Sequence, residues 1–184
     1  MSLVELIAQA DERGLAASGL ACLDRCIPLL GGDDEILRPL WGTLTEDSDA
    51  AAWGELLEQA RDKLASAAAE GDEAELLARR MLAAAPESRS AAEVRLWADA
   101  CSVASLQIHR LLDPAEDASP VDSRREGRTE GMSPLVAAEL RRQVTVLEVL
   151  AGHGAGGLRR ALEVSTEGRR VLRAVVSRRA RGRK

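Results

Sequence analysis

Residues 90–112 read SAAEVRLWADACSVASLQIHRLL and carry a complete set of helix signals. Ser90 and Glu93 have the S-x-x-E spacing of a capping box, in which each side chain binds the backbone N–H of the other residue. Apolar side chains then recur every three or four residues, at Val94, Trp97, Cys101, Ala104, Ile108 and Leu111. This period matches one face of an α-helix, so the stretch is predicted to be a long amphipathic helix.

The same start signals recur along the chain. Ser2 and Asp72 are each followed three residues later by a glutamate, and Ser133-Pro134 places a capping residue before a first-turn proline. Apolar stripes at helical spacing follow each start, and no stretch alternates between apolar and polar residues as a half-buried strand would. We therefore predict an all-α fold, an irregular antiparallel helical bundle of about seven or eight helices with no sheet.

Composition divides the chain into three segments. Residues 1–113 are predicted to form an acidic helical bundle, and residues 133–184 a C-terminal helical pair with a basic end. Between them, residues 114–132 combine Pro, Ser, Gly and both charge signs with almost no large apolar side chain. Such a stretch buries too little surface to order itself, so we interpret it as a linker or mobile loop. The sequence does not decide whether the C-terminal helical pair packs on the bundle.

The chain has no Phe and no Tyr, and its three tryptophans are Trp41, Trp53 and Trp97. Its core must be built from Leu, Val and Ala, which suits closely packed helices. The bias of the composition toward Ala, Gly and Arg indicates a high-GC bacterial genome. Trp53 and Trp97 fall on apolar stripes, so both are predicted to be buried. Trp41 lies near a proline and a glycine and is a candidate exposed anchor for a partner.

The charge of the chain is split between its two ends. Residues 1–157 contain 15 Lys+Arg and 28 Asp+Glu, whereas residues 158–184 contain 10 Lys+Arg and 2 Asp+Glu. An acidic body that carries a basic arm indicates a charged partner, or docking of the arm on its own body. The candidate partner-binding residues are Arg169, Arg170, Arg173, Arg178, Arg179 and Trp41.

Three roles of the basic arm remain open. Its apolar face can pack on the bundle while the arginines are solvated or pair with acids of the body. The arm can instead bind an acidic protein, including a second copy of the chain. It can also contact nucleic acid or an anionic membrane, but no aromatic side chain lies among the arginines, so base stacking is unsupported.

Two glycine motifs resemble ligand-binding loops but lie in a different context. Gly152, Gly154 and Gly157 follow an apolar run as G-x-G-x-x-G, which resembles the cofactor loop of S-adenosylmethionine-dependent methyltransferases. That loop needs a parallel sheet, whereas the residues after Gly157 have the pattern of one helix. The run GGDDE at residues 31–35 resembles the signature of diguanylate cyclases, which lies on a hairpin inside a sheet. We interpret both motifs as turns between helices.

No catalytic, cofactor-binding or metal-binding residue is predicted, and no cofactor is implied. Cys22 and Cys26 lie four residues apart, but neither His109 nor His153 stands at a ligand-like spacing from them. We expect these thiols to be buried as small apolar side chains.

The function expected from these features is that of a non-enzymatic, cytoplasmic protein-interaction module, acting as a regulator or adaptor. No apolar run reaches membrane-spanning length, so no membrane span is expected, and the first residues lack the basic region that is typical of a secretory signal, so none is expected there. The alternatives are a helical bundle with a small-molecule pocket, and an anion-binding accessory factor for DNA or a membrane.

Overall fold

The computed structural model describes residues 1–46, 50–64, 71–113, 115 and 120–182. These residues form ten α-helices and one 3-10 turn, and none of them lies in a strand, so the predicted all-α bundle is confirmed. The helices are α1 (Leu3–Gln9), α2 (Glu12–Arg25), α3 (Ile27–Leu30), α4 (Arg38–Gly42), α5 (Ala52–Leu64), α6 (Glu73–Ala84), α7 (Ala91–Leu112), α8 (Val121–Arg125), α9 (Pro134–His153) and α10 (Leu158–Gly182).

Three short helices explain why the described residues contain more helices than expected. Helices α3 and α4 carry Pro28 and Pro39 in their first turns, and Pro120 directly precedes α8. Proline lacks a backbone N–H and has a fixed φ, so it is tolerated at a helix start but interrupts a continuing helix. Residues 47–49 and 65–70, on either side of α5, lie outside the described residues.

Helix α2 lies at the centre of the bundle. Every residue from Gly14 to Arg25 is buried, and the helix packs against α7, α9 and α10. A helix enclosed on all sides buries its polar residues as well, so Asp24 and Arg25 lie inside the protein. Cys22 of α2 and Cys26, the residue that follows this helix, are fully buried, as predicted.

Trp53 and Trp97 anchor the packing of α5 and α7, and their predicted burial is confirmed, with exposed fractions of 1% and 3%. Their rings meet edge to face, with centroids 6.1 Å apart and planes at 72°. Each indole N–H donates to a backbone carbonyl oxygen, that of Pro86 at 2.8 Å and that of Met81 at 2.9 Å. Trp97 also lies against Gly19 of α2, where a Cβ would stand 2.6 Å from the ring.

Segment 114–132 contains a helix that its composition did not predict. Arg124 and Arg125 of α8 are both buried, although no apolar stripe marks this stretch. The Arg124 guanidinium donates to the backbone oxygens of Arg128 and Glu130, at 3.0 and 2.7 Å. These polar contacts hold this part of the segment together with Val121 and Met132, which pack against the core. Residues 114 and 116–119 lie outside the described residues.

Replacing Trp97 by Ala is expected to lower the free energy of unfolding by about 3–5 kcal/mol, because it leaves a cavity between α2 and α7. Leu96→Ala on the same helix is the matched control, since Leu96 is 75% exposed, and it should change that free energy by less than about 0.5 kcal/mol. Urea denaturation of both variants measures the difference. Equal stability of Trp97→Ala and the native protein would contradict this packing.

Candidate functional site

The basic arm docks on the acidic body through ion pairs, of which those made by Arg169 and Arg173 are the closest. Arg169 of α10 binds the carboxylate of Asp24 on α2, and both side chains are buried. One turn further on, Arg173 binds Asp34 in a bidentate pair, with 2.8 Å between Nη1 and Oδ2. Asp34 belongs to the GGDDE run, which lies in a connection between α3 and α4. Two candidate partner-binding arginines therefore have partners within the chain.

Trp41 is not an exposed anchor, which corrects the expectation from its neighbouring residues. Its side chain is buried, and its indole N–H donates to Oδ2 of Asp24 at 3.1 Å. Pro39 lies in the first turn of α4, and Trp41, two residues later, contacts Asp24 of α2. Trp41 and Arg169 together provide hydrogen bonds to both oxygens of the buried Asp24 carboxylate.

The two docking carboxylates differ because one is buried and the other is at the surface. Burial raises the pKa of Asp24, although the Arg169 guanidinium opposes the shift. The hydrogen bond from Arg173 lowers the pKa of Asp34, which lies in a solvated position. The Asp34 pair is therefore a surface contact of modest strength, whereas the Asp24 pair is part of the core.

A further ion pair lies deeper in the protein interior, between Arg25 of α2 and Glu139 of α9. Nε and Nη2 of Arg25 donate to the two carboxylate oxygens, at 2.8 and 2.7 Å, and neither side chain is exposed. Burial raises the pKa of Glu139, but the charge and hydrogen bonds of Arg25, together with His109 and Gln143, outweigh this effect, and the pKa falls to about 2. Glu139 is therefore ionised at neutral pH in the interior of the protein.

Hydrogen bonds extend this pair across the bundle. Glu139 accepts from the Ser105 hydroxyl at 2.7 Å and from the Gln143 amide at 3.0 Å. Gln143 in turn accepts from the Ser102 hydroxyl at 2.6 Å, and Arg125 of α8 donates to that hydroxyl oxygen at 3.2 Å. We call these residues, with Arg25 and His109, the buried polar network. It connects α2, α7, α8 and α9.

His109 completes the network as a neutral ring. Its Nδ1 lies 2.7 Å from the carbonyl oxygen of Ser105, which can only accept, so we place the proton on Nδ1. Nε2 then faces Glu139 at 3.5 Å. Burial lowers the pKa of His109, and the nearby Arg25 and Arg142 guanidinium groups add to this effect, whereas Glu139 opposes it. The sequence did not place this histidine near any carboxylate.

Gly168 allows α10 to close over the network. A Cβ at this position would lie 2.4 Å from Cδ of Arg25 and 3.0 Å from Cδ of Arg142. The apolar face of α10 is interrupted at Gly168. At this point the aliphatic stems of two arginines pack against the helix.

A groove opens beside the network, between the end of α7, the start of α9 and the second half of α10. Its volume is about 660 Å³, within the usual range of small-molecule pockets. Most of the described residues that line it are apolar: Leu112, Pro134, Leu135, Ala138, Val171 and Val175. The charged ones are Asp113, Arg142, Arg178 and Arg179. We call this site the α9–α10 groove.

Asp113 holds the start of α9 at the edge of this groove. Ser133 makes no capping bond with its side chain, although the sequence marks it as the capping residue. Instead the Asp113 carboxylate accepts the backbone N–H groups of Leu135 at 3.0 Å and Ala115 at 2.9 Å. A carboxylate at this position also suits the positive end of the helix dipole.

The remaining candidate arginines lie toward solvent. Arg170 and Arg178 are exposed, as is Arg181 near the end of α10. Arg179 is half-buried, with Nη1 4.0 Å from Oδ2 of Asp72. Helix α10 therefore carries docked arginines and exposed arginines, and it forms one wall of the apolar α9–α10 groove.

The glycine motif at residues 152–157 and the thiol of Cys22 have structural roles in the described residues. Gly154–Gly157 form a 3-10 turn between α9 and α10, as the helix–helix interpretation predicted. Burial raises the pKa of Cys22 to about 12, so its thiol is protonated and unreactive at neutral pH. Within the described ranges, no cluster of three His, Cys, Asp or Glu side chains is arranged to hold a metal ion.

Comparison of the chain with protein-family models, with curated proteins and with solved structures gave no match. Among the helices described here, none has the length and apolarity required to cross a membrane. The functional proposal therefore rests on the geometry of α10 and its surroundings.

The buried His109 predicts a pH dependence of stability. Its folded pKa lies below the ordinary value of 6.5, so the unfolded chain binds a proton that the folded chain does not. The free energy of unfolding should therefore fall as the pH drops below 6.5, by at most about 1.4 kcal/mol per pH unit from this residue. His109→Gln should show a shallower decline in urea denaturation between pH 6.5 and 5. His153→Gln, at an exposed position, should keep the native decline, and identical slopes for all three proteins would contradict the assignment.

Proposed function

We propose that this protein is a non-enzymatic binding module whose exposed arginines on α10 bind an acidic protein partner. The supporting observation is the division of the arginines into two sets. Arg169 and Arg173 are engaged by carboxylates of the body, whereas Arg170, Arg178 and Arg181 are presented to solvent on the same helix. The first set fixes the helix and the second is accessible to a partner.

The docked half of α10 gives the exposed half a defined geometry. Arg170 and Arg181 lie eleven residues apart, which corresponds to about 16 Å along the helix, and share a face. Ala174 and Ser177 lie between them on that face, so no bulky side chain shields the two guanidinium groups. A surface that is already ordered loses less conformational entropy on binding, which favours recognition.

Charge favours an acidic protein over nucleic acid as the partner. The body of the chain carries an excess of acidic residues, which repel a phosphate backbone at every approach other than along α10. A protein partner can place its carboxylates locally against the arginines and avoid the rest of the surface. The acidic body of a second copy offers such carboxylates, so self-association is one form of this proposal. A regulator or adaptor in the cytoplasm is the role that such a module suits.

Double substitution of Arg170 and Arg181 by Glu tests the proposal. Fluorescence anisotropy with labelled poly-L-glutamate, a defined acidic polypeptide, should show at least about tenfold weaker binding to this variant than to the native protein. Arg38→Glu with Arg128→Glu is the matched control, since these side chains are 66% and 68% exposed on other parts of the surface. The control should bind nearly as the native protein does, and native binding should weaken as salt rises.

Two results would contradict the proposal. Equal losses in the test and control variants would show a general charge effect rather than a surface on α10. Base-sequence-dependent binding of duplex DNA at physiological salt, lost in the Arg170 and Arg181 variant, would assign the same face to nucleic acid instead. Sedimentation equilibrium of the native and variant proteins distinguishes self-association from binding of a different partner.

A further inference from the structure

The α9–α10 groove carries a buried cation whose hydrogen bonds are incompletely used. Arg142 of α9 lies at this groove with only 11% of its side chain exposed. Its Nη1 is buried and has no hydrogen-bond acceptor in the structure. A buried guanidinium donor without an acceptor is costly, because it has lost water and gained no partner.

The Arg142 guanidinium interacts with the charges of Glu139 and Glu167, but Nη1 has no hydrogen bond to either carboxylate. Glu167 stands 3.9 Å from Nη2, beyond hydrogen-bond distance, and its own side chain is 68% exposed. Asp113 is the carboxylate that lines the groove, but its two oxygens accept the N–H groups of Ala115 and Leu135. The groove is therefore lined by an arginine whose buried Nη1 has no acceptor, and by a carboxylate that is already occupied.

The side chains that line the groove around Arg142 determine which other chemical groups a ligand would need. Leu112, Leu135, Val171 and Val175 give the groove an apolar lining next to the guanidinium. Burial of hydrocarbon on such a surface is favourable in proportion to the apolar area removed from water. Arg178 and Arg179 add positive charge to the lining. This combination selects a molecule with one anionic head and an apolar tail.

We propose that the α9–α10 groove binds a single-chain amphiphile with an anionic head, of the fatty-acid type, whose carboxylate pairs with Arg142. The tail lies along the side chains contributed by α7, α9 and α10. The volume of about 660 Å³ suits one such molecule. This binding site shares Arg178 with the exposed arginines of α10 but contains neither Arg170 nor Arg181, and it does not depend on the proposed acidic partner.

The test uses dodecanoate, below its micelle concentration, as the probe. Calorimetric titration should show saturable binding of one molecule, and ¹H–¹⁵N spectra should shift for amides around Leu135 and Val175. Arg142→Met retains the length of the stem that packs under α10 but removes the charge, and it should weaken binding at least about tenfold. Arg142→Lys should recover part of the affinity. Arg141→Met, at the exposed neighbouring position, is the matched control and should bind as the native protein does.

A second variant covers the case in which Arg142→Met does not fold. Val171→Trp leaves Arg142 in place but fills the groove, and it should abolish dodecanoate binding. Undiminished binding in either folded variant would overturn the proposal. Equally tight binding of dodecyltrimethylammonium, which has the same tail and the opposite charge, would also overturn it. Displacement of dodecanoate by an acidic amphipathic peptide at lower concentration would assign the groove to a protein partner instead.

Discussion

The Arg25–Glu139 ion pair constrains how this bundle can assemble. Both groups are fully buried, so each has lost its hydration, and only close geometry with further hydrogen bonds offsets that cost. Ser105 and Gln143 provide these bonds to Glu139, and Ser102 and Arg125 extend the network. Because the participants come from four helices, α2, α7, α8 and α9 must meet in one arrangement for the pair to be satisfied.

The position of α10 follows from this arrangement. Gly168 allows α10 to pack against the stem of Arg25. Asp24, which precedes Arg25, then forms an ion pair with Arg169. Once these contacts fix the first half of the helix, its second half extends beside the start of α9. The α9–α10 groove and the exposed arginines are consequences of that geometry. The core network and the candidate binding surfaces are therefore physically linked, although no residue of the Arg25–Glu139 pair reaches solvent.

The sequence predicted the helices that have local signals, and missed features that depend on distant contacts. The Ser90 cap and the stripe containing Trp97 require only neighbouring residues, and both are present as predicted. Asp24 and Arg25 are polar positions on a helix that is enclosed by three others, a condition that no local period reveals. Trp41 and Asp113 likewise find their partners only in the folded chain. The basic arm was identified from composition, but which arginines dock could not be predicted, because that depends on the position of Asp24 and Asp34.

A double-mutant cycle on Arg25 and Glu139 tests the central role of the ion pair most directly. Glu139→Gln keeps the size of the side chain and an acceptor oxygen, whereas Arg25→Met keeps much of the apolar stem. Each single change should lower the free energy of unfolding in urea by about 3–5 kcal/mol, because it leaves the other charge buried without its partner. The double variant should lose no more than the worse single variant, since it contains neither unpaired charge. Losses that simply add in the double variant, or single losses below about 1 kcal/mol, would contradict the account.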